Sequence, residues 1–377
     1  MSTYSADQAG EPSPSTEPTP DRTPISAEPR FSEPRPLRPV GPGRHVEPAL
    51  VPSAEAASTA LRAADHLALA RTPEVAADDV WVEAGRKVLR FHLGRMLARV
   101  PGTIDGEDPE EVHAMRVASR RLRAGWRVFG DAFERPVVRD RVAQLRVLGA
   151  ELGMVRDLDV QIGILLASRD RHSKRGRLAL APLVDTWTAE RAARHHALVV
   201  RLRSPWFTTF VADHDRLVTT EGEAARAIGP HAPATVRMRA PAIAWQSYQA
   251  VWAFEPALIS PDVATLHELR ISTKWLRYTL ESVREPMEPS ATELIRRVVA
   301  LQDQLGDIHD LHAAAERARA SAVTIPDLRT GQRTAIERFA ADKDVRVDRL
   351  MRRLGPTWRG VADPEYRRRL GQSLARL

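Results

Sequence analysis

The side chains best suited to chemistry lie in two matching stretches, VHAMRVASRRLRAGWRVF at residues 112–129 and LHELRISTKWLRYTLESV at residues 266–283. His113, Arg116, Arg120 and Arg123 stand against His267, Arg270, Lys274 and Arg277, each 154 positions further on. A helix turns about 100° per residue. His113, Arg116, Arg120, Arg123 and Arg127 therefore share an arc of about 80°. A row of this kind is suited to holding an anion, because guanidinium groups offer paired N–H donors that match phosphate oxygens. It also carries a cost. Like charges at i, i+4 destabilise a helix by about 0.2–0.5 kcal/mol per pair, and no acid interrupts Arg116, Arg120, Arg123 and Arg127. One such stripe reads as a solvated basic face. Two stripes in register point to an anionic ligand, or to acids on another helix.

Stepping around each helix gives the elements that must position these groups. Met115, Ala118, Leu122, Trp126 and Phe129 fall on the far side of the first stretch, and Leu269, Leu276, Leu280 and Val283 on the far side of the second. Both are apolar core stripes. Asp108 followed by Pro109 is a helix start. Apolar periodicity predicts helices over residues 76–99, 109–132, 136–168 and 178–203, then over 237–254, 263–284, 290–322 and 327–354. The third helix of each half carries a second echo, LGMVRD at 152–157 and LGDIHD at 305–310, so His309 stands where Arg156 stood. Arg86, Arg90, Arg127, Arg146, Arg156, Arg194 and His309 form a second tier that could join a basic lining. Gly149 and Gly153 share a helix face with Arg146 and Arg156, which suggests a close approach or a tight helix crossing. Asp157 and Asp159 are expected to orient arginines. No stretch alternates with period two, so no sheet is expected. The expected fold is all-α: two four-helix bundles related by internal duplication, with a pseudo-two-fold relation and a basic central groove or tunnel between them.

Composition sets the boundaries. Twelve of the 28 prolines lie in residues 1–53, where little apolar area is available to offset chain entropy. Residues 54–71 have helix propensity but a weak apolar stripe, so residues 1–72 are expected to be a disordered, Pro-rich tail. The folded domain then spans 73–362, with a first bundle at about 76–222 and a second at about 236–355. Residues 363–377 are expected to be a C-terminal tail. The net charge of +7 belongs to the folded part, because residues 1–72 hold 7 basic and 9 acidic side chains. Cysteine is absent, which removes disulfides, thiolate metal sites and cysteine nucleophiles. No leader pattern opens the sequence, and no run of about 18 apolar residues occurs. A cytoplasmic location with no membrane association is expected.

The motifs VHAMRVASRRLR, LGMVRDLDV, LHELRISTKWLRY and LGDIHD resemble those of the CHAD family, the conserved histidine α-helical domain, over about residues 75–360. The resemblance implies two four-helix bundles with a basic central cavity. It also implies binding of inorganic polyphosphate and association with polyphosphate granules. The family's basic positions carry over onto His113, Arg116, Arg120, Arg121, Arg123, His267, Arg270, Lys274 and Arg277. Two positions depart from the pattern: Trp275 faces Arg121 in the alignment of the halves, and Glu281 faces Arg127. Family members are often fused to a triphosphate-tunnel domain, and a stand-alone module is expected here.

Polyphosphate carries roughly one charge per residue and no bases, so binding would follow counterion release and weaken with salt. If His113 and His267 contribute as cations, affinity should fall above about pH 7. Nothing supports catalysis. There is no P-loop, and Asp157, Asp159, Asp307 and Asp310 lie beside basic or histidine side chains, so no metal or other cofactor is expected. A nucleic-acid partner is disfavoured by a groove too confined for a duplex and by an aromatic content of only 5%. A scaffold that uses the tail to recruit granule-associated proteins is the other alternative.

Overall fold

The computed structural model describes residues 55–67 and 70–377. Fifteen α-helices account for most of them: α1 (Glu55–His66), α2 (Trp81–Leu97), α3 (Val100–Asp105), α4 (Pro109–Phe129), α5 (Arg135–Arg169), α6 (Lys174–Ala179), α7 (Ala181–Leu202), α8 (Pro205–Thr219), α9 (Val236–Trp252), α10 (Val263–Ser282), α11 (Arg284–Met287), α12 (Ser290–Thr324), α13 (Thr330–Arg352), α14 (Leu354–Ala362) and α15 (Pro364–Leu374). Among the described residues, extended pairing is limited to the isolated bridges Val80–Thr235 and Phe133–Ala225. No described helix is long and apolar enough to cross a membrane.

The helices that carry the basic stripes start on aspartate caps. The Asp108 side chain accepts from the Glu110 backbone N–H, Pro109 opens α4, and Glu110 and Glu111 lie at the positive end of its dipole. The Asp262 side chain accepts from the Thr265 N–H at the start of α10. Both helices bury the expected apolar stripe. Met115, Ala118, Leu122, Trp126 and Phe129 are buried on α4, Leu269, Leu276 and Leu280 on α10, and Val283 just beyond it. With the stripes buried, the opposite faces of α4 and α10 are left to the cations.

Packing follows chain order. α2 lies on α4, α4 on α5, α5 on α7, and α8 returns to α2. α9 lies on α10, α10 on α12, and α12 on α13, α14 and α15. α4 meets α10, and α5 meets α12. α5 and α12 are each 35 residues long, about 52 Å. Their C-terminal ends build a second apolar cluster with α7 and α13 around Leu165, Trp187, Ala318 and Phe339. There the Trp187 Nε1–H donates to Ser321 Oγ at 3.0 Å.

Several boundaries differ from the expectation. The part of the expected tail before residue 55 lies outside the described residues. Residues 55–66 are a packed helix rather than tail: Ala60, Ala63, Ala64 and, just beyond it, Leu67 are buried, and α1 rests on α2, α3 and α8. The described buried side chains within it are alanines, which allow close helix approach. At the other end, residues 364–374 form α15 instead of a tail, with Tyr366, Leu370 and Leu374 buried. The helix expected over 178–203 is broken at Leu180, where Pro182 opens α7. The helix expected to end near Gly355-Pro356 restarts there as α14, with the proline in its first turn.

Candidate functional site

The two stripes meet where α4 packs on α10. Arg121 donates to Glu281 through Nε at 3.1 Å and Nη2 at 3.2 Å. The same carboxylate accepts from Arg277 Nε at 2.7 Å. The Arg127 guanidinium lies 4.1 Å from the centroid of the Trp275 ring, and that of Arg120 lies 5.7 Å from Tyr278. Arg121 and Trp275 hold matching positions in the two stretches, as do Arg127 and Glu281. The two contacts therefore exchange when the stretches exchange. Had both copies kept arginine at these positions, Arg121 would face another arginine. Glu281 turns one crossing into an ion pair, and Trp275 turns the other into a cation–π contact. Glu281→Gln removes half of this clasp and leaves Arg121 and Arg277 without their anion. The expected result is a loss of about 1–3 kcal/mol in chemical denaturation, with polyanion binding tightened rather than weakened. Weaker binding would contradict this assignment.

Four cations are not neutralised by any described carboxylate. Arg120, Arg123, Arg270 and Lys274 have no carboxylate within ion-pair reach among the described residues. All four are partly buried. Burial, aided by neighbouring guanidiniums, pulls the pKa of Arg120, Arg123 and Arg270 below the usual arginine value. Lys274 is lowered to about 7 by burial, then by Arg270, Arg120 and Arg116. Arg120 Nε is buried with no hydrogen-bond partner. An unpaired buried donor of this kind costs about 1–3 kcal/mol. The site thus holds desolvated charge that an incoming anion would satisfy.

Carboxylates sit at the margin of the cluster. Asp157 pairs with Arg116 at 2.9 Å while its own side chain is 58% exposed. Glu110 reaches Arg156 at 3.4 Å, and Asp159 holds Arg191 at 2.9 Å. The Asp310 carboxyl is raised by burial, although Arg270 opposes the shift. Gly153 is buried against the Arg116 guanidinium, 3.6 Å from where a Cβ would lie, whereas a Cβ at Gly149 or Gly306 would meet open space. Gly149→Ala should therefore stabilise α5 by about 0.5–1 kcal/mol in thermal unfolding. Destabilisation would mean that the glycine is needed for packing. Among the described residues no group of three or more histidines and carboxylates is placed to hold a metal ion.

Two of the histidines are disfavoured as cations in the free protein. Burial lowers His113, with Arg156 adding to the effect. His309 is pushed down to about 3 by burial, then by Arg270 and His267. His267 and His309 face each other with their Nδ1 atoms 3.4 Å apart. His309 is therefore neutral at pH 7 in the free protein, and the charged form of His113 is disfavoured. In the same cluster Lys274 is drawn down to about 7.

The second tier divides. Arg146 lies beside Arg123, Arg156 beside His113, and His309 beside His267, all next to the stripes. Arg86 does not join them. It is buried, donates to the Leu217 and Glu223 carbonyls, pairs with Glu83 at 2.9 Å, and ties α8 to α2. Arg90 donates to the His66 carbonyl at 3.4 Å, at the end of α1. Arg194 is exposed on α7 and meets Glu190 at 3.7 Å. Helical periodicity places all three off the core seam but does not say which neighbour covers that side. Tyr278 under Arg120, and Glu281 shared by two arginines, carried no sequence signal beyond the mismatch of the two stretches.

The CHAD domain model matches residues 87–319. No curated protein is matched. Among solved structures, the CHAD domain of the plant Ricinus communis superposes with a TM-score of 0.60 at 26% identity, covering 74% of this chain and 93% of its own. PptA from Streptomyces chartreusis gives a TM-score of 0.59 at 21% identity, covering 74% of this chain and 100% of its own, a likeness of fold. With the family model spanning well over half of the sequence, and the all-helical fold shared with these structures, the chain belongs to the CHAD domain family.

Proposed function

We propose that this protein binds inorganic polyphosphate, in a basic groove where α4 and α10 meet, and acts as a binding module rather than an enzyme. In this reading α2, α4, α5 and α7 with α8 form one bundle. α9, α10, α12 and α13 with α14 form its duplicate, and a pseudo-two-fold axis passes between α4 and α10. The exchange of Arg121–Glu281 for Trp275–Arg127 supports that axis.

The observation that carries the reading is the group Arg120, Arg123, Arg270 and Lys274: desolvated, mutually repelling, and without a carboxylate partner among the described residues. Isolated charges in that condition are costly. A chain of phosphates supplies a negative charge at every unit and acceptor oxygens in every direction. A single carboxylate satisfies only part of the cluster. The surrounding pairs, Arg116 with Asp157 and Arg156 with Glu110, can open toward the ligand because their acids are largely exposed. Within a cell, such a module would follow polyphosphate to its granules.

The test is a calorimetric titration with polyphosphates of several lengths, with competition from duplex DNA. Arg116→Ala with Arg270→Ala should lower affinity about 100-fold or more, because each removes a charge-assisted contact of about 1.5–3 kcal/mol. The control pair Arg139→Ala with Arg368→Ala, both exposed and away from the stripes, should change it less than threefold. Equal losses in the two pairs would remove the assignment, and displacement of polyphosphate by DNA at equal phosphate concentration would favour a nucleic-acid partner.

A further inference from the structure

At the crossing of α4 and α10, two buried donors have no hydrogen-bond partner among the described residues. One is Arg120 Nε on α4, and the other is the Tyr278 hydroxyl on α10. Tyr278 is only 4% exposed. The Arg120 guanidinium lies over its ring, 5.7 Å from the centroid. The Trp275 ring meets it edge-on, with centroids 6.3 Å apart and planes at 81°. Tyr278 is close enough to Arg120 and Arg123 to act on the charge of both guanidiniums. Its counterpart 154 positions earlier is Ala124, so one copy of the repeat alone carries the hydroxyl. A buried hydroxyl without an acceptor costs free energy, and one placed beside unpaired cations points to an anion that would satisfy both.

We propose that Tyr278 is a further polyphosphate-binding residue, whose hydroxyl donates to a phosphate oxygen held by Arg120 and Arg123. An anion drawn to those guanidiniums lies beside the phenol oxygen. Arg120 moves off the Tyr278 ring toward the anion and so uncovers the hydroxyl. Arg120 Nε and the hydroxyl then gain acceptors in one event. This contact differs in kind from those of the basic stripes. It brings no positive charge, so it releases no counterion and does not weaken with salt as the arginine contacts do. Tyr278 therefore supplies a part of the affinity that survives at high ionic strength, where a purely basic surface lets a polyanion go. The inference rests on the polyphosphate reading for its ligand and adds to that site a donor outside the row of cations.

The experiment titrates wild type, Tyr278→Phe and Arg270→Met with one short polyphosphate over a series of salt concentrations. Tyr278→Phe keeps the ring, and with it the contacts to Arg120 and Trp275, and removes only the hydroxyl. Its affinity should fall about tenfold or more at every salt concentration, as expected for a lost hydrogen bond to a charged group. The slope of log affinity against log salt should stay that of wild type. Arg270→Met should reduce the magnitude of that slope by about 0.7, the single-strand value for one phosphate contact. The denaturation midpoint of free Tyr278→Phe should equal or exceed that of wild type, because an unpaired buried oxygen is lost. Unchanged affinity in Tyr278→Phe, with wild type binding, overturns this inference alone. A reduced slope in Tyr278→Phe also overturns it, since the hydroxyl would then act by holding Arg120. Weaker binding together with a lower denaturation midpoint overturns it as well, by making the hydroxyl structural. Failure of wild type to bind polyphosphate removes the polyphosphate reading itself, and this inference with it.

Discussion

Replacing Arg120 and Arg270 together by methionine should make the free protein more stable while abolishing most of its affinity for polyphosphate. Methionine keeps much of the length of the arginine stem and removes the charge. In the free protein both guanidiniums are partly buried, lack a carboxylate partner among the described residues, and repel Arg116 and each other. Exchange of buried charge for apolar side chains of similar volume is commonly neutral or stabilising by about 1–4 kcal/mol. The double variant should therefore unfold at a higher denaturant concentration than the wild type. Polyphosphate affinity should fall by about a hundredfold or more, at two charge-assisted contacts of about 1.5–3 kcal/mol each. A structural role for these arginines predicts the opposite sign: loss of stability, with binding impaired only through misfolding. The two signs are read from one pair of measurements, a denaturation curve and a titration.

Polyphosphate binding should take up about one proton per site between pH 7 and 9. In the free protein Lys274 is lowered to about 7, chiefly by burial and then by Arg270, Arg120 and Arg116. A bound polyanion reverses the electrostatic part, and the amine is protonated in the complex. By linkage, log affinity falls with a slope approaching −1 per pH unit, starting just above pH 7 and ending at the raised pKa of the complex. The sign for the free protein is opposite. Its folded pKa lies below the unfolded value of about 10.5. The unfolded chain holds the proton through that interval, so stability rises as pH climbs from about 7 to about 10 and is lowest below 7. Titrations in two buffers of different ionisation enthalpy at pH 8 give the proton count directly. A count of zero, or a pH dependence centred near 6 as for ordinary histidines, would contradict this assignment. His309, held near 3, and His113, also lowered, give little titration in this window unless the ligand lifts them.

Much of this arrangement can be read in the chain. A register of 154 between two helices, each with apolar residues on one side and cations on the other, specifies which side chains face together. The structure buries the apolar side and brings the stripes to one crossing. What periodicity cannot supply is the neighbour. Arg86 and Arg90 lie off the core seam of α2 as a groove residue would, yet α8 and α1 cover them. The buried side chains described in α1 are alanines, and the helix packs on surfaces that come from later in the sequence. α15 has a weak local signature for a related reason. Tyr366 and Leu370 form a short stripe, and its partners Tyr248 and Leu294 come from α9 and α12. The mismatches Trp275 and Glu281 were visible as departures, but not as partners of Arg127 and Arg121, because the contact joins residues 148 to 160 positions apart. Asp157 and Asp159 were legible as arginine partners, since acids beside a basic row gain most by pairing with it. The depressed pKa of Lys274 depends on burial and on charges from a second helix, and neither is a property of a local stretch.

The most direct test is a structure of the protein grown with a short polyphosphate. Phosphates should lie between α4 and α10, with oxygens within hydrogen-bond distance of Arg120, Arg270 and Lys274 and with Arg120 Nε satisfied. Phosphates bound elsewhere on the surface, with that cluster still without an anion, would contradict it.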